Sequence, residues 1–216
     1  MPTVIVPVGL NMGPQFDDPA GDWHVHLGTR AAKLSPDELR AWGTAFSDVQ
    51  RHADHTFTRA HLEHVLGQDR NGTPDPAPIV SALLDRGLLL EYDPADADWA
   101  ELFDEVNLFP LVQGMGNSPE EPAAYQLGVG GEPILSVNAN VYGIWSYALT
   151  SRSLWSACAE LAAGVDQDLQ PGEEPFGYNA ADIAAEVGAA LPLLVTTGCA
   201  FLDPATPRPS PSARTA

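Results

Sequence analysis

Lysine is almost missing from this chain. Its 216 residues include one, Lys33, and only 10 Lys and Arg together stand against 29 Asp and Glu, a net charge of −19 at pH 7. Split at Phe103, the first half holds 7 basic and 16 acidic residues and the second 3 and 13. Both halves repel polyanions, so no affinity for nucleic acid through phosphate neutralisation and counterion release is expected. Met1 to Leu10 offers neither a basic leader nor an apolar run long enough for a signal peptide or a membrane span. The expectation is a cytoplasmic chain without a membrane partner. Cysteine is scarce too: Cys158 and Cys199 are separated by 40 residues, without C-x-x-C spacing, and read as buried thiols.

Catalytic signatures are also wanting. No G-x-S-x-G, S-x-x-K or H-E-x-x-H occurs, and no histidine follows His64 to serve a Cys158 or serine nucleophile. Gly114-Met115-Gly116 and Gly128 to Gly131 lack the Gly-Lys-Ser/Thr of a phosphate loop and read as hairpin turns.

What the chain does contain is a stretch that occurs twice. Ile5 to Phe46 laid over Leu108 to Leu149, at a constant offset of 103 and without a gap, gives eight identities in 42 positions. They include Pro7/Pro110, Met12/Met115, Gly13/Gly116, Gly28/Gly131 and Trp42/Trp145. These are turn formers and core anchors, the residues a shared backbone would require. The acidic pairs Asp17-Asp18 and Glu120-Glu121 recur at one place on Pro-flanked loops and read as solvated turn residues.

In the first copy Thr3 to Leu10 is a β-rich run interrupted by Pro7, Asn11 to Asp22 a loop, and Trp23 to Leu34 a hairpin turning at Gly28. Ser35-Pro36-Asp37-Glu38 is a capping box opening a helix to about Phe46. Thr58 to Gly67 and Asp75 to Gly87 are the second and third helices, and Leu88 to Tyr92 leaves as a strand that Asp93-Pro94 breaks. Ala95 to Asn107 predicts a short linking helix. The second copy repeats the order with a Gly130-Gly131 turn, Asn138 as helix cap, helices at Leu154 to Ala163 and Ala180 to Leu191, and an exit at Gly198 to Leu202 before Asp203-Pro204.

Three strands, then three short helices with a tryptophan in the first and a glycine ending the third, form a winged-helix-like order. It resembles most the PqqD-like family, the recognition elements that bind leader peptides in ribosomal peptide maturation. Val137 to Trp145 (VNANVYGIW) resembles that family's strand end, Asn cap and helix; Ser153-Leu154 with Ala159-Glu160-Leu161 resembles its second helix, and Asp182-Ile183 through Leu191 its third. The first copy keeps Leu34-Ser35, Trp42, Ile79, Leu83 and Gly87-Leu88-Leu89. The resemblance implies that an extended peptide binds along the third strand in the groove against the third helix, by β-augmentation. It places the contacts at Ala31, Lys33, Ile79, Leu83 and Arg86 in the first copy and at Ile134, Ser136, Ile183 and Val187 in the second. The competing reading makes those apolar residues core or the contact between copies. DNA is not the expected ligand, since Ala180 to Leu191 carries no Arg or Lys and the first copy offers only Arg86.

All six histidines lie in the first copy. His24 and His26 share a strand face, and His52 and His55 sit where neighbouring helical side chains meet. Converged, these four could ligate Zn²⁺; the constant offset instead lays His24 on Leu127 and His26 on Val129, a partly buried packing face.

The fold class read from the sequence is therefore α+β: two tandem winged-helix-like modules, three strands then three helices each, related by internal duplication. Residues 1–94 form copy one, 95–107 a linker helix, 108–205 copy two, and 206–216 a disordered tail. The function it favours is a non-enzymatic peptide- or protein-binding accessory factor, monomeric or homodimeric, without a cofactor. The alternatives are a small zinc-dependent enzyme using the copy-one histidines, and an acidic regulator that covers a basic protein surface.

Overall fold

The computed structural model describes residues 3–14, 23–68, 75–165 and 177–205. These make a mixed α/β molecule with four small antiparallel sheets.

The run TVIVPVGL becomes two strands, β1 (Val4–Pro7), buried throughout, and β2 (Leu10–Pro14). Gly9, at φ 96°, makes the corner against the Val25 side chain. Asn11 to Pro14 is thus strand, not loop; the remainder of that loop, with Asp17 and Asp18, lies outside the described residues. β3 (Trp23–Leu27) and β4 (Arg30–Leu34) form the hairpin, and α1 (Pro36–Thr44) opens with the expected capping box between Ser35 and Glu38. A helix with no hydrophobic period follows, α2 (Val49–Ala53), nucleated where the Asp48 carboxylate accepts the Arg51 N–H. Thr58 and Asp75 then cap α3 (Arg59–Gly67) and α4 (Pro76–Asp85), and Gly87 at φ 70° turns the chain into β5 (Leu89–Tyr92). The first half therefore has four strands and four helices before β5 where three of each were expected. The Pro7 to Gly9 corner and the Asp48 cap supply the extra pair.

After the linking helix α5 (Trp99–Asp104) come β6 (Val106–Pro110), β7 (Gln113–Gly116), β8 (Tyr125–Val129) and β9 (Glu132–Val137). Asn138 caps α6 (Ala139–Tyr147), and a 3-10 turn leads to α7 (Leu154–Val165), α8 (Ala180–Thr196) and β10 (Ala200–Pro204). Two expected ends are overrun. α8 passes through Pro192 instead of stopping at Leu191, and Asp203-Pro204 lies inside β10 instead of breaking it.

β1 pairs with β5 and β6 with β10, with Pro7 opposite Leu89 and Pro110 opposite Ala200. Just beyond, Val8 N–H donates to Leu88 O at 2.9 Å and Leu111 N–H to Cys199 O at 3.0 Å. The sheets β2-β3-β4 and β7-β8-β9 each bulge in their first pair, around Met12 and Met115. A further bulge in β8-β9 sets Leu127 opposite Leu135 but Gly128 opposite Pro133, leaving Ile134 extra. The gapless offset fails across this hairpin. Asn11 faces Val25 and Gly114 faces Leu127, so His24 and His26 correspond to Gln126 and Gly128, not to Leu127 and Val129. A one-residue slip in a strand exchanges its faces.

The buried side chains of both halves form one connected core. Trp42 and Trp145 are both buried, and each donates its indole N–H to a backbone carbonyl at 3.0 Å. The acceptors differ: Val8 for Trp42, Cys199 for Trp145. α8 runs through the centre with Ile183, Val187, Leu191 and Leu194 fully buried, and it touches β1, α2 and α5 as well as α6 and α7.

Candidate functional site

In the first half β4 meets the end of α4 through Arg86, and in the second the outer strand β9 lies beside α8. The two junctions differ in how they are filled. At the first, Arg86 caps the C-terminus of α4, pairs with Glu38 and donates to Lys33 O at 2.7 Å. Arg30 reaches back to Arg86 O. Burial raises the Glu38 carboxyl pKa, but hydrogen bonds from Ser35 and the Arg86 guanidinium outweigh it and leave the group below its ordinary value. The protein's own arginine thus closes this junction. Ala31 and Lys33 are exposed beside it, Ile79 is half-buried, and Leu83 lies wholly in the core.

At the second junction a groove of about 250 Å³ stays open, lined by Leu135, Ser136, Asn138, Glu186, Ala190 and Leu193 among others. Among the described residues β9 pairs only with β8, so its other edge presents backbone donors and acceptors along the groove. Ser136 is exposed there and Ile134 is 46% exposed. Ile183 and Val187 are not: both are fully buried on the inner face of α8. The residues that reach the groove from α8 are Glu186, Ala189, Ala190 and Leu193. The resemblance instead sets Ile183 and Val187 in the places of Ile79 and Leu83, an offset of 104, and so misses them. Gly87 and Gly198, both at φ near 70° and each just ahead of the last strand of its half, were the better anchor: counted back from them, Ile79 falls on Ala190 and Leu83 on Leu194.

Local chemistry fixes the one charged group in this groove. Asn138 Oδ1 accepts the Val141 N–H as helix cap, which turns its Nδ2 toward Glu186 Oε2 at 2.9 Å. Asn140 Nδ2 donates to the same oxygen at 3.0 Å. A serine cap, as at Ser35, would have to accept and donate through its single hydroxyl. The bulge adjoining the groove depends on glycine: a Cβ on Gly128 would run into the Glu132 carbonyl and the Met115 sulfur.

The histidines are dispersed. His24 and His26 are half-buried on the β3 face opposite the buried Val25 and Leu27, and His24 Nε2 is enclosed without a hydrogen-bond partner. Burial raises the Asp203 carboxyl, opposed by the Gly28 N–H and by His26. His52 is wholly buried, stacked on Phe57 and bonded through Nε2 to Ala45 O at 3.1 Å. His55, at φ 52°, reaches Ala189 O on α8 at 2.8 Å. Among the described residues no group of three or more His, Cys, Asp or Glu is arranged to hold a metal ion. Glu120 and Glu121 are exposed.

Burial raises the thiols of Cys158, to about 12, and Cys199, so neither is an activated nucleophile. A larger cavity, about 370 Å³, is lined by Leu27 to Arg30 at the β3-β4 turn and by Phe109, Asp203 and Pro204. Among the described residues no helix is long and apolar enough to cross a membrane. Comparison with known protein families, curated proteins and solved structures returns no significant match.

Proposed function

We propose that this chain is a non-enzymatic accessory factor that takes an extended segment of a peptide or protein along the free edge of β9. The observation that carries the reading is the contrast between the two junctions. The β4 edge is capped by Arg86, whereas the β9 edge runs beside an open groove whose floor is small and apolar and whose rim is Asn138 and Glu186. Backbone pairing on such an edge supplies affinity without a catalytic group, and alternate side chains of the bound strand enter the groove to give selectivity.

The same reading treats the chain as two tandem winged-helix-like modules related by internal duplication and resembling PqqD-like recognition elements. It is supported by the eight identities at an offset of 103, the common register of β1-β5 and β6-β10, and the matching bulges of the three-stranded sheets. The bound segment would then be a leader peptide of a ribosomally made natural product. Titrating fluorescent leader peptides encoded beside this gene tests it. Saturable micromolar binding, with amide exchange slowed over Glu132–Val137, is the expected result; no saturable binding, or protection elsewhere, removes the proposal.

A further inference from the structure

We infer that the segment bound at β9 carries an arginine that pairs with Glu186; this rests on the groove reading above and adds the chemistry of the occupant. Glu186 is held by its Oε2 between two amides. Its Oε1 makes no hydrogen bond among the described residues. An acceptor fixed on one side and open on the other is preorganised for a cation. Among the described residues no Lys or Arg pairs with Glu186; Arg152, the only described one after Phe103, pairs with Asp104.

The first junction shows one arginine bridging a pair of acceptors, with the carboxylate on α1 instead of on the helix beside the edge. There Arg86 spans a carboxylate, Glu38, and an edge-strand carbonyl, Lys33 O, with one planar guanidinium. An incoming arginine at the second junction would meet the same two kinds of acceptor, Glu186 and the outward carbonyls of β9. A lysine, with a compact ammonium, serves the fork less well. The net charge of −19 attracts a basic segment from a distance, so association speeds up as salt is lowered.

The test is a phage-displayed library of random dodecapeptides panned on the full chain, with enriched sequences remade as labelled peptides for anisotropy. Enriched peptides share an arginine at one position. Replacing that arginine by alanine, or Glu186→Gln in the protein, weakens binding ~10- to 100-fold, and both changes together do no further harm. Gln keeps an oxygen for Asn138 and Asn140, and a melting curve reports whether the fold is retained. Glu186→Lys with a glutamate in place of the peptide's arginine recovers part of the affinity, a gain that damage to the fold cannot produce. Binders that protect the β9 amides yet show no basic preference, or ignore Glu186→Gln, overturn this inference and leave the groove reading standing. Binding equally strong in Ser136→Pro, which removes an N–H from the β9 edge, counts instead against the groove. Self-association of the wild type that Glu186→Gln abolishes would assign the groove to a second copy of the chain and overturn the inference as well.

Discussion

The Tyr92 hydroxyl donates a 2.7 Å hydrogen bond to the carbonyl of Gly188, the group that Pro192, four residues further along α8, leaves without its helical donor. A side chain from one half of the molecule thus completes the backbone of the central helix of the other. Burial, which holds the phenol well above its ordinary pKa, keeps it a neutral donor.

Tyr92→Phe should therefore leave a buried carbonyl unsatisfied and destabilise the protein by about 1–3 kcal/mol. In a Pro192→Ala chain the backbone N–H restored at that position takes over the Gly188 carbonyl, and the same Tyr92→Phe change should lose at least ~1 kcal/mol less. Urea unfolding of the four proteins measures the coupling. Equal losses in both backgrounds would show that hydroxyl and proline act independently.

Gly188 also lets a ring in. A Cβ there would overlap the Trp99 indole, which itself packs edge-on to Tyr92 and against Phe103. Gly188→Ala should lose about 1–3 kcal/mol through overpacking, and a smaller partner, Trp99→Leu, should return part of it. If thermal melts show Gly188→Ala as stable as the parent, the two halves are not seated as described.

His52 makes stability depend on pH. Burial lowers its folded pKa to about 4 from 6.5, helped by His61 and opposed by the Ala45 carbonyl and Asp48. The unfolded chain takes up the proton first as pH falls below 6.5. The stabilisation from a neutral buried ring is complete above that value and declines as pH drops toward about 4, by about 3 kcal/mol in all. Unfolding free energies of the parent and His52→Gln should diverge in slope across this window and run parallel above it. Parallel slopes throughout would mean that the ring does not titrate on unfolding.

Cys158 and Cys199 are wholly buried with raised thiol pKa values. A chromogenic disulfide reagent at neutral pH should react with neither in the native protein and with both in denaturant. Rapid native labelling at Cys158 would place an opening near α7 that this packing does not allow.

Where the sequence was sufficient, the determining interaction spanned only a few residues. Ser35 with Glu38, Thr58 with His61 and Asn138 with Val141 are helix starts settled within one turn, and glycines at 28, 87, 130 and 198 take the positive φ angles that end strands and helices. Helical spacing marks Val141, Ile144, Trp145 and Leu149 as one apolar stripe; the first three are buried, while Leu149, in the 3-10 turn, is 46% exposed.

The remainder depended on partners far along the chain. No local rule carries α8 through Pro192; the helix continues because Tyr92, from the other half, supplies the missing donor. The extra residue at Ile134 is absorbed by a bulge that only strand pairing reveals, and it shifted His24 and His26 off their expected counterparts. Which junction is open was equally hidden, since it turns on Arg86 reaching Glu38 while Glu186 meets only amides. The sequence by itself determined where elements begin and which faces are apolar, because caps, turns and periods act over a few residues. Tertiary structure decided register, helix length and the accessible groove, because each is set by hydrogen bonds and contacts between segments that the chain order keeps apart.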